Sequence, residues 1–252
     1  MKILFYRHSY DPGFESLISA IKHTKNIFGY LSGDINKATI LEFAPDIIMH
    51  NIPEADSFPI KHNSISININ ETDGNNSFSL KNEKSKNYIH PFVTLKNINI
   101  EEKDITKFTS DVVYIGSPSL FGPILEFLND PKNDVLFKFF THQPHNINGY
   151  CGMCDANDYL KFYKHSKASL VMEGDNRRIM DIVVADGNPI VFNRKNDQEC
   201  INNIKHAITN NKKYSVDGYS KQDIISKHTS YDRASHIFKT IGLKKIAENI
   251  LK

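Results

Sequence analysis

The 252-residue sequence predicts an α/β protein made of two similar halves, each a parallel sheet flanked by helices. Three stretches carry the prediction. Lys2 to Tyr6 is an apolar run leading through a polar loop into an amphipathic helix. Asp111 to Gly116, DVVYIG, restarts the same order of strand, polar loop and helix-like segment. Ser169 to Phe192, SLVMEGDNRRIMDIVVADGNPIVF, reads as strand, polar loop, helix, turn and strand, the repeating unit of a parallel sheet.

In the first half, the Lys2 to Tyr6 strand begins almost at the first residue, as in α/β domains whose first strand is central. After the loop Arg7 to Asp11, Asp11 followed by Pro12 marks a helix start, and Phe14, Leu17, Ile18 and Ile21 recur at helical spacing. A second helix is expected from Asn36 to Phe43, stopped by Pro45, before a short buried strand over Asp46 to Met49. Ser64 to Asn70 alternates isoleucine with polar residues and predicts a half-exposed strand, and Asp73 to Asn76 a turn. Beyond it the pattern weakens to one ordered-looking segment, Tyr88 to Val93.

In the second half, strands are expected at Asp111, over Val135 to Phe140, at Ser169 and over Ile190 to Phe192. A helix capped near Asp155 and Asp158 turns Tyr159, Phe162 and Tyr163 to the core. Further helices follow near Gln198 to Thr209, at Lys221, through the segment ending at Gly242, and from Leu243. The domain boundary is expected near residue 108, giving domains 1–108 and 109–252 with the last helix crossing back to the first.

Composition narrows the function classes. Charged residues are 24% and hydrophobic residues 40%, with a net charge of +2, so the chain lacks a strongly basic nucleic-acid arm, although a local patch is compatible. No apolar run reaches the roughly 18 residues of a membrane helix, and the first residues lack a signal-peptide pattern, so a cytosolic protein with no membrane span is expected. The cysteines are Cys151, Cys154 and Cys200; a single C-x-x-C in a glycine-rich loop reads as reduced thiols rather than a zinc or redox site. Abundant Asn, Lys and Ile without Trp suggest an AT-rich coding sequence, such as that of a phage or low-GC bacterium.

The chemistry concentrates in Glu173-Gly-Asp-Asn-Arg-Arg178 and the helix that follows. A helix start after a strand offers unpaired N–H groups and a positive dipole end, which suit a phosphate. Arg177 and Arg178 add bidentate donors for a diphosphate. A helical wheel places Ile179, Ile182 and Val183 on one face and Arg178, Asp181 and Ala185 on another, so Asp181 can accept from ribose hydroxyls and Glu173 can reach a sugar. Alternatively, Arg178 and Asp181 form a solvated i,i+3 ion pair worth about 0.5 kcal/mol or less.

These residues resemble the donor domain of GT-B glycosyltransferases, in which an E-x7-E motif precedes a small residue, Gly, any residue and Pro. Glu173 and Asp181 have that spacing, with Asp in second place. More specifically the chain resembles the CgeB-like branch, with Asn176-Arg177-Arg178 and Asp181 followed by His228-Thr-Ser-Tyr-Asp-Arg233. His90-Pro91 and the loop and tyrosine-bearing helix before Ser169 come in the order of that branch. Asp181 stands one residue farther from Gly187 than the pattern, leaving it or its neighbour as the ribose ligand, and the motif's aromatic is displaced to Tyr231.

The resemblance implies two Rossmann-like domains facing across a cleft and a metal-independent transfer from a nucleotide-diphosphate sugar, best a UDP-sugar, with no other cofactor. Gly116, Ser117 and Ser119 would approach the phosphates, the loop from His142 would border the base, and His228 and Arg233 would neutralise the leaving diphosphate. The acceptor would lie against the first domain at Arg7, Tyr10 and Gly13, where His8, Asp11 and Glu15 are the titratable groups. His8 and Asp11 are the candidate bases, with Asp11 equally a helix cap. The compact chain and AT-rich-looking composition favour double-stranded phage DNA carrying 5-hydroxymethylcytosine as the acceptor, against which the low net charge counts. A cell-surface glycan or a protein is the alternative acceptor, and a nucleotide-sugar-binding protein without turnover is the alternative function.

Overall fold

The computed structural model describes residues 1–8, 11–34, 36–53, 58–60, 62–69, 77–79, 104–116, 122–141, 146–155, 158–193 and 195–251. By compactness the chain forms two units, one of Met1–Thr94 with Lys227–Lys252 and one of Leu95–Ser226. Each is α/β with an all-parallel sheet, the predicted class.

The first sheet has the order β2-β1-β3-β4-β5, from β1 (Lys2–Tyr6), β2 (Phe28–Ser32), β3 (Ile47–His50), β4 (Ile65–Ile69) and β5 (Ser77–Phe78). Alternation along β1 sends Ile3 and Phe5 to one face, where they pack with Phe14, Leu17 and Ile21 of helix α1 (Pro12–Lys22). Leu4 and Tyr6 go to the other face, against Ile40 of α2 (Lys37–Phe43). The expected α2 forms with Asn36 as its cap, and Ala44 turns left-handed before Pro45. β4 differs from expectation. It lies between β3 and β5, with Ile67, Asn68 and Ile69 buried, so its alternation of apolar and polar residues does not mark a solvent face. β2 and β5 are strands that the sequence pattern did not announce. Tyr88 to Val93, including His90 and Pro91, lies outside the described residues.

The second sheet has the order β7-β6-β8-β9, from β6 (Ser110–Ile115), β7 (Phe137–Phe140), β8 (Ser166–Met172) and β9 (Pro189–Phe192). Helix α3 (Ile105–Phe108) precedes it, and Phe108 packs in this sheet's core beside Phe162. One face is covered by α4 (Pro123–Asn129) and α7 (Asp197–Asn210), the other by α5 (Tyr159–Lys164) and α6 (Asn176–Val184). Strands closed on both faces explain the near-continuous apolar runs DVVYI and SLVM. Gly187 is required by close approach: a Cβ there would stand 2.9 Å from the Tyr163 carbonyl oxygen.

After α8 (Lys221–Lys227), helices α9 (Ser230–Thr240) and α10 (Lys244–Ile250) belong to the first unit. Ala234, Ile237 and Phe238 of α9 and Ala247 and Ile250 of α10 complete the core around α1. Two helices, not only the last, therefore fall outside the second unit, because the apolar face of α9 is spent on α1.

Candidate functional site

Both sheets share one topology: each opens with a strand whose two neighbours are the next strand and the one after it. Such an order leaves a crevice beyond the carboxyl ends of the first and third strands, the usual ligand position in open α/β sheets. In the second unit those strands are β6, which runs into Gly116, and β8, which runs into Glu173 and the start of α6.

Arg178 joins the two strand ends. Its guanidinium stands where a Cβ on Gly116 would lie 2.8 Å from Nη1, and the same Cβ would lie 2.8 Å from the Tyr114 hydroxyl. A larger residue at this position would have to displace one of these two side chains. Asp175 caps α6: one carboxylate oxygen accepts from the Arg178 backbone N–H at 3.1 Å, and the other pairs with Arg178 Nη1 at 2.9 Å. Burial opposes the Arg178 charge, but Tyr163, Asp175, Tyr114 and Asp181 outweigh it and raise the guanidinium pKa further. The Tyr114 hydroxyl is pushed up by burial. A fixed cation, a backbone bend without a side chain and the first turn of a nine-residue helix thus converge at one sheet edge.

Asp181 is not presented there. It is 7% exposed and accepts from the Tyr159 hydroxyl at 3.4 Å. The expected polar face of α6 is turned onto α5, and Asp181 and Ala185 are both buried. Burial raises the Asp181 carboxyl to about 7, against the opposing pull of Arg177 and Arg178. Asp181 is thus an internal carboxyl that ties α6 to α5 through Tyr159.

Glu173 is exposed and tethered: its Oε2 accepts from Asn193 Nδ2 at 2.9 Å, from the loop after β9. Asn176 and Arg177 are half-buried in the first turn of α6. Ser117, Ser119, His142 and Tyr10 lie outside the described residues.

In the first unit, Arg7 and His8 follow β1 at the corresponding edge. Arg7 Nη1 pairs with Glu15 Oε1 at 3.1 Å. The His8 backbone N–H donates to Asn51 Oδ1 at 2.8 Å, tying the loop after β1 to the one after β3, while His8 itself is exposed. Asp11 caps α1, accepting from the Phe14 N–H at 2.8 Å. Gly13 is buried in the first turn of α1. His228 and Arg233 are joined directly, Arg233 Nη2 lying 2.6 Å from His228 Nδ1. Arginine only donates, so Nδ1 accepts and the neutral imidazole carries its proton on Nε2. Between them, Thr229 and Asp232 form a capping box that starts α9.

Sequence reasoning missed Asp175, Tyr114 and Asn193. An Asp directly before a helix-period segment was a readable capping signal, whereas Tyr114 on β6 and Asn193 in the loop after β9 carry none. Among the described residues, no group of three or more His, Cys, Asp or Glu is arranged to hold a metal ion. Burial pushes the Cys154 thiol up to about 12, so it is no thiolate, and Cys151 donates to the Gly149 carbonyl.

No protein-family model and no curated protein sequence matches the chain. Among solved structures, an α1,3-fucosyltransferase with GDP aligns with a TM-score of 0.47 and 12% identity, covering 98% of this chain and 90% of that one. The S. aureus MnaA–UDP co-structure aligns with a TM-score of 0.47 and 11% identity, covering 96% of this chain and 98% of that one. Scores this low carry no assignment, and function rests on the chemistry of the sites.

Proposed function

We propose that the chain is a glycosyltransferase that moves a sugar from a nucleotide-diphosphate sugar to a hydroxyl acceptor. One observation supports this above the others: Arg178, anchored at the start of α6, reaches the glycine that ends β6 at the switch point of the second sheet. A diphosphate held there meets a guanidinium fork and a positive helix end, which stabilise the charge that develops as the sugar departs. Glu173, exposed beside it, is the group for sugar hydroxyls. His228 and Arg233 are proposed for the leaving diphosphate, with the imidazole Nε2–H and the guanidinium as donors.

With Asp11 committed to its cap and Glu15 paired with Arg7, His8 is the proposed base for the acceptor hydroxyl. The proposed donor is a UDP-sugar and the proposed acceptor is hydroxymethylated DNA. The test is incubation with UDP- and GDP-sugars and hydroxymethylcytosine DNA, followed by mass analysis of the released nucleosides. A hexose or pentose mass on the modified cytosine supports the full reading. Transfer to another acceptor alone keeps the transferase and removes the DNA. Binding without transfer or hydrolysis with any donor leaves a nucleotide-sugar-binding protein.

A further inference from the structure

β2 is the outer strand of the first sheet, paired with β1 on one side and with no strand on the other among the described residues. The Phe28 N–H donates to the Met1 carbonyl at 2.9 Å, and the Ser32 carbonyl accepts from the Arg7 N–H at 3.1 Å. Peptide groups alternate sides along a strand, so Phe28, Tyr30 and Ser32 address β1 while Gly29 and Leu31 turn their N–H and C=O outward. Side chains alternate as well: Leu31 packs in the α1 core, and Phe28 and Tyr30 project from the other face, 67% and 48% exposed. Phe43 of α2 packs 5.7 Å from the Tyr30 ring. FGYLS contains no lysine, proline or other charge, the devices that keep an edge strand solitary.

We infer that this edge pairs with β2 of a second copy of the chain, antiparallel about a two-fold axis at Tyr30. The Gly29 and Leu31 peptide groups then exchange hydrogen bonds with Leu31 and Gly29 of the second copy. The two Tyr30 residues form the close, non-hydrogen-bonded pair where side chains approach most nearly. Charge selects this direction. Exposed Lys25 precedes β2 and exposed Asp34 follows it, so antiparallel pairing sets the basic end of each strand against the acidic end of the other. Parallel pairing would set like charges together. The two-fold axis keeps Phe28 and Tyr30 of both copies on one face, where they cover one another.

Sedimentation of the full chain over a hundredfold concentration range tests this, with circular dichroism to confirm folding. A reversible monomer–dimer equilibrium is expected, weakened about tenfold or more by Tyr30→Lys, which puts like charges opposite each other. Asp34→Lys is expected to weaken it, and Lys25→Asp with Asp34→Lys to restore it. A monomer at every concentration overturns the inference. So does a dimer that Tyr30→Lys leaves unchanged or that the charge exchange fails to rescue.

Discussion

The Arg178 guanidinium occupies the space that a side chain at Gly116 would need, since a Cβ there would meet Nη1 at 2.8 Å. The two residues lie far apart in sequence and join the ends of β6 and β8. Gly116→Ala must displace Arg178 or the Tyr114 hydroxyl, which stands equally near. Calorimetric titration with UDP or GDP should show affinity reduced about tenfold or more, with the melting temperature little changed.

Asp175 holds both the Arg178 backbone N–H and its guanidinium, the donors proposed for the diphosphate. Asp175→Ser keeps a side-chain oxygen for the cap while removing a negative charge from the helix start. Nucleotide-diphosphate affinity should rise several-fold in this variant, most visibly at low ionic strength, as a titration at two salt concentrations would show.

Asp181 predicts a pH dependence of stability. Its folded pKa is raised from 3.8 to about 7, so the unfolded chain releases this proton first as pH rises. The penalty begins near pH 4, grows through neutrality and is complete above pH 7, at most about 4 kcal/mol. Asp181→Asn keeps an acceptor for Tyr159 and should stabilise the protein at pH 8 but not at pH 4, as measured by urea denaturation at both.

His50 acts in the opposite sense. It is fully buried at the end of β3, beside Ser66 Oγ at 3.1 Å, and burial, with His62 nearby, lowers its pKa from 6.5 to about 4. Stability from the neutral ring is complete above pH 6.5 and lost as pH falls towards 4, a change on the order of 3 kcal/mol. His50→Gln should flatten that acid limb of the stability profile while lowering stability at pH 7 through lost packing.

Much of the fold was legible because strands of a doubly covered parallel sheet are apolar runs, and β1, β3 and β6 to β9 read as such. β2 was not, since FGYLS lies on an edge, carries a glycine and exposes its aromatics. The candidate site was half legible. Arg178 at a helix start followed from local order, but a helical wheel shows only one helix, and the partner that buries Asp181 is Tyr159 on α5. The burial of the polar face of α6 against α5 was therefore not legible from one helix. Likewise, Thr229 and Asp232 within His228 to Arg233 were legible as a capping box, whereas the bond between Arg233 and His228 needed the folded turn.

Calorimetric binding of UDP and GDP to the full chain and to Arg178→Ala measures the central claim directly. The account predicts binding to the parent protein and a loss of about a hundredfold in the variant, since a charge-assisted bidentate contact disappears. No binding of either nucleotide to the parent protein, or equal affinity in a folded Arg178→Ala variant, would contradict it.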